Sequence, residues 1–156
     1  MQKNSRHGAS FLFGLYVLLM LWLLFGQRIG GVIYTEYGSA LAANCNLIPF
    51  ATAGEMLVLL LSRQAASFAF INLAGNIVMF IPLGYLLPMI WTKLRSWKRI
   101  LRCGFLSVLC IELLQLVTLL GSFDIDDLWM NILGIMIGYG LYCGASAWQT
   151  KSRERS

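Results

Sequence analysis

A carboxyl group, several carboxamides and a knot of aspartates are set among leucine, isoleucine and phenylalanine in this chain. Glu112 and Gln115 are three positions apart in CIELLQLV, and Asn72 and Asn76 are four apart in INLAGNIV. Asp124, Asp126, Asp127 and Asn131 follow in FDIDDLWMN. Side chains three or four positions apart share a helix face. By the same rule Asp127, Asn131, Gly134 and Gly138 lie along one face. Two carboxyls at different depths, Glu112 and Asp127, could act as acid and base. Glu112 alone could couple a proton or a cation. The same groups could instead hold a polar headgroup without reacting.

Other chemistries lack their parts. The only histidine is His7, near the start of the chain, so no Ser–His pair or zinc site can be assembled. Cys45, Cys103, Cys110 and Cys143 form no CxxC pair, and no structural disulfide is expected. Asp124, Asp126 and Asp127 resemble part of a hard-cation loop, but the glycine and distal glutamate of an EF-hand are missing. No metal or cofactor is assigned. GxSxG, phosphate-loop and GxGxxG patterns are absent.

The elements that position these groups follow from composition. Of 156 residues, 58% are hydrophobic and 12% are charged. Soluble domains carry about 25% charged residues, so this is read as a polytopic membrane protein with one domain over 1–156. Four stretches reach the roughly 20 residues a helix needs to cross a bilayer. They are about 9–28, 70–91, 101–120 and 126–148. The first is long for a signal-peptide core and is read as a retained span. The stretch EMLVLLLS at 55–62 is too short to cross, so 46–69 is read as an outer loop with a re-entrant or surface-lying helix. The expected fold is an all-α bundle of four transmembrane helices plus that short helix.

Orientation follows the basic residues. Placing both termini in the cytoplasm leaves only Arg28 and Arg63 of the 12 Lys and Arg on the outside. The net charge of +5 then reflects anchoring and topology, with no basic stripe suited to nucleic acid. Pro82 inside the second span predicts a kink that Gly84 would ease. Gly134 and Gly138, then Gly140 and Gly144, are spaced for close helix packing.

Depth brings the polar groups together. Glu112 lies ten positions past Arg102, about 15 Å into the bilayer. Asn76 and Asn131 enter from the opposite side to a similar level. Lipid offers them no partners, so they must face one another or water. The expected result is an outward-open cavity with Glu112 as its floor and Asn76, Gln115 and Asn131 as its walls. Asp124, Asp126 and Asp127 form its water-facing rim, with Asp126 or Asp127 also capping the fourth span.

These same motifs resemble the VanZ-like membrane family. The resemblance rests on NLIPF at 46–50, NLAGNIVMFIPLGYLLP at 72–88, ELLQL at 112–116 and DIDDLWMNILGIMIG at 124–138. The family pattern maps onto Asn46, Pro49, Phe50, Asn76, Phe80, Pro82, Gly84, Glu112, Gln115, Asp124, Asp127, Asn131 and Gly138. Many members carry an arginine shortly before the first aspartate, where this chain has Ser122. The resemblance implies a multi-pass protein of the bacterial plasma membrane. It also implies a link to low-level resistance to teicoplanin, a glycopeptide that binds cell-wall precursors.

Three functions compete. The first is non-catalytic binding of a membrane lipid or lipid-linked wall precursor, with Pro49, Phe50 and the 55–62 helix as a lipid-side wall. The second is an enzyme acting on a lipid headgroup through Glu112 and Asp127. The third is a proton- or cation-coupled transporter, which with four helices would need to form a homo-oligomer. Binding is preferred, because nothing in the sequence identifies a substrate to be turned over.

Overall fold

The computed structural model describes residues 3–26 and 36–154. The expected end of the first span at Arg28 lies outside these residues, as does Arg155. In chain order the elements are α1 (Lys3–Leu24), α2 (Tyr37–Ala43), β1 (Cys45–Asn46), α3 (Ala51–Leu61), α4 (Ala66–Ile90), α5 (Trp97–Thr118), β2 (Phe123–Asp124) and α6 (Ile125–Glu154). A single 3₁₀ turn at Thr92–Leu94 joins α4 to α5. Helices α1, α4, α5 and α6 are long and apolar enough to cross a membrane. Helix α3 has 11 residues, none buried, and cannot cross. Helix α2 and the β1–β2 pair have no counterpart in the sequence reading.

Helices α4 and α6 run parallel and in backbone contact. A Cβ on Gly84 would overlap the carbonyl oxygen of Ile135. Gly134 and Gly138 meet the carbonyls of Ile77 and Ile81 in the same way. Glycine alone allows this approach, which favours weak Cα–H···O contacts between the helices. The role of Gly84 is therefore close packing against α6. Helix α4 continues through both Pro82 and Pro88. Gly140 and Gly144 depart from expectation: both are exposed, and nothing would lie within 4 Å of a Cβ on either.

Helix α1 lies antiparallel to α4. Arg6 Nη2 donates to the Ile90 carbonyl at 2.7 Å, and the Tyr16 hydroxyl donates to Met79 O at 3.0 Å. Phe13 meets Trp91 edge-on at 5.5 Å. Phe80, Ile100, Val108 and Ile135 fill the interior where α4, α5 and α6 meet. Phe11, Leu18, Phe70, Val78, Leu106, Val117, Leu133 and Leu141 are exposed. An apolar belt of this extent suits lipid rather than water.

The two ends of the bundle differ in charge. Arg6, the α4–α5 turn and the last turns of α6 share one end, where the Tyr139 hydroxyl donates to Arg95 O at 2.9 Å. The other end holds α2, α3, β1 and β2. Among the described residues it carries Glu36, Glu55, Asp124, Asp126 and Asp127, with Arg63 its one basic side chain. All four cysteines are free, and Cys110 and Cys143 lie exposed on their helices.

Candidate functional site

Glu112 sits six residues before the end of α5, and Asn131 sits six residues into α6, so the antiparallel helices bring them level. Asn131 Nδ2 donates to Glu112 Oε1 at 3.5 Å. Both residues are only 3% exposed. The Asn131 Oδ1 is buried and accepts no hydrogen bond among the described residues, and neither does Asn72 Oδ1. Such orphaned acceptors cost roughly 1–3 kcal/mol each if left unmet. Gln115 is buried one turn beyond Glu112, where its Nε2 donates to Leu24 O at 3.3 Å. That bond brings the end of α1 into the site, which the sequence reading confined to the other three spans.

The aspartates form a clamp where an open, water-facing rim was expected. Asp124 and Asp126 are 6% and 3% exposed. Strands β1 and β2 pair in parallel, Cys45 with Phe123 and Asn46 with Asp124. This register sets Asp124 beside Asn46 and Thr52. Asp124 Oδ2 accepts from Asn46 Nδ2 at 3.2 Å and from the Thr52 hydroxyl. Its Oδ1 accepts the Asp126 N–H at 2.8 Å, so Asp124 caps α6, in place of Asp126 or Asp127.

Asp126 caps a different helix. Its Oδ1 accepts the Phe50 N–H at 2.7 Å and its Oδ2 the Ala53 N–H at 3.0 Å. These donors open α3, where negative charge also complements the helix dipole. Phe50 has φ of 63°, a left-handed conformation that is costly for a residue with a side chain. The carboxylate of Asp126 holds it there. Asp127 accepts from Asn76 Nδ2 and so ties α6 to α4. Pro49 and Phe50 themselves are exposed at the loop tip.

The structure thus brings Glu112, Asn131 and Gln115 together in the interior, with Asn76 and Asp127 paired between α4 and α6. The α3 hairpin, which is β1 with the loop and helix that follow it (residues 45–61), stands at this end of the bundle, pinned by Asp124 and Asp126. Thr52 was missed by the sequence reading, because its partner lies 72 positions away and no local periodicity announces it. Among the described residues no group of three or more His, Cys, Asp or Glu side chains is placed to hold a metal ion. A carboxyl beside the unmet carboxamide oxygen of Asn131 suits a ligand that donates hydrogen bonds.

A family model described as VanZ/LLP1 matches residues 13–147, most of the chain. The chain belongs to the VanZ-like family. No curated protein and no solved structure matches it. The matched region of this VanZ-like protein takes in the Glu112–Asn131 pair, the aspartate clamp and the α4–α6 glycine contact. Membership and four candidate spans together make it a multi-pass membrane protein.

Proposed function

We propose that this protein acts in the bacterial cell envelope by binding the headgroup of a lipid or lipid-linked wall precursor at the Glu112–Asn131 pair. Through that binding it lowers susceptibility to a glycopeptide such as teicoplanin. The observation that carries the reading is the pair itself, 3% exposed within an apolar bundle. Polar groups at membrane depth are costly and are retained where they serve a site. The Asn131 Oδ1 is an acceptor, so it favours a headgroup rich in hydroxyl or amide N–H donors. The positive-inside rule favours both termini in the cytoplasm, and in that orientation the hairpin end faces outward, where wall precursors are consumed.

Susceptibility in a Gram-positive host tests this reading. Empty vector, wild type, Glu112→Gln and Asn76→Leu are compared at equal membrane abundance. Protection by the wild type, lost in both variants, is expected. Full protection by both variants would show that the polar cluster is not the site. Product formation from extracted envelope lipids by purified protein would favour the enzyme reading instead.

A further inference from the structure

A second site lies on the lipid-facing side of α5 and α6, apart from the buried polar pair. It is a groove of about 430 Å³ lined by Leu101, Arg102, Phe105, Leu106, Trp129 and Ile132. That volume falls within the range of about 300–1,000 Å³ common for ligand clefts. The groove walls expose carbon, which suits an acyl chain. The Glu112–Asn131 bond fixes the register of the two helices. In that register Arg102 and Trp129 lie toward opposite ends of the groove, about 18 Å apart along the helix axes.

Arg102 gives the groove a sign. It is exposed, and its Nε donates to Lys98 O at 3.3 Å. Its terminal guanidinium nitrogens make no hydrogen bond among the described residues. Side chains on a helix tilt toward its N-terminus, so Arg102 reaches back toward the basic end of the bundle. Trp97 and Lys98, also exposed, mark the interfacial level there. Arg99 is exposed on the same turn. Of the seven acidic side chains only Glu154 stands at this end. An anion arriving beside Arg102 therefore meets an excess of positive charge.

We infer that this groove binds one anionic phospholipid from the leaflet at the basic end, its phosphate on Arg102 and one acyl chain along Leu106 toward Trp129. An Arg guanidinium matches a phosphate better than the zwitterionic headgroup of a neutral lipid. Each basic side chain near the headgroups contributes about fivefold to anionic over neutral affinity.

The test is native mass spectrometry of the full chain in detergent, titrated with phosphatidylglycerol or with phosphatidylcholine of the same chains. The wild type is expected to bind one phosphatidylglycerol about fivefold or more tightly than phosphatidylcholine. Arg102→Gln removes the headgroup preference and keeps chain binding. Leu106→Trp fills the groove and weakens both lipids. Arg99→Gln, with the same loss of charge outside the groove, keeps the preference. Equal losses in Arg102→Gln and Arg99→Gln would assign the effect to a diffuse basic surface and overturn the site. Unchanged binding by Leu106→Trp would overturn the groove.

Discussion

Replacing Asp126 by asparagine tests how the hairpin is held. The wild-type carboxylate accepts two backbone N–H groups, from Phe50 at 2.7 Å and from Ala53 at 3.0 Å. Hydrogen bonds to a charged group contribute about 1.5–3 kcal/mol each. Asparagine offers a single acceptor, so one bond is lost and an NH₂ group is set against an N–H donor. The surviving bond becomes neutral and loses about 1 kcal/mol. The total is about 3 kcal/mol, and Asp126 is too deeply buried for water to recover it. Phe50 then loses the contact that holds it left-handed. Hydrogen exchange of the protein in lipid nanodiscs reads this directly. Protection at residues 50–54 should fall about 100-fold, since about 1.4 kcal/mol is tenfold. Protection in α4 and α6 should hold. Unchanged protection at 50–54, or an equal fall in α4 and α6, would refute a clamp local to the hairpin.

Further predictions address the scaffold. Gly138→Val drives a side chain into the Ile81 carbonyl, which cannot yield, and should cost at least about 3 kcal/mol, read as loss of folded protein in membranes. Gly140→Val, two positions on and facing open space, should leave abundance unchanged. Tyr16→Phe removes one α1–α4 hydrogen bond and should lower the unfolding free energy by about 1 kcal/mol in detergent denaturation. With the four native cysteines replaced by serine, a cysteine introduced at Glu55 should react with an impermeant maleimide on intact cells, and one at Ser152 only after permeabilisation. The reverse pattern would overturn the proposed orientation.

The long helices were legible because hydropathy over about 20 residues is a strong signal. The polar face of α6 was legible through its three-and-four spacing. What escaped were contacts between distant parts of the chain. The β1–β2 pair joins two-residue strands 78 positions apart, too short for any periodic pattern. Asp124 and Asp126 read as cheap surface acid because their partners, Asn46, Thr52 and the α3 amides, come from a loop with no helical phase relation to α6. The glycine pairs show the limit of spacing as evidence. Gly134 with Gly138 and Gly140 with Gly144 repeat identically, yet Gly140 stands about 200° around the helix from Gly138. Only the packing of α4 decides which pair is used.

The buried Glu112–Asn131 pair is proposed to receive a headgroup. The most direct measurement is the amount of lipid-linked wall precursor that co-purifies with the protein, for wild type and for Asn131→Leu, from the same host at matched yield. Asn131→Leu removes the orphaned acceptor and puts an apolar side chain of similar size in its place. Near-stoichiometric precursor is expected on the wild type and a loss of at least about tenfold in the variant, in line with two or more hydrogen bonds forgone. Equal precursor on both proteins, or none on either, would contradict it.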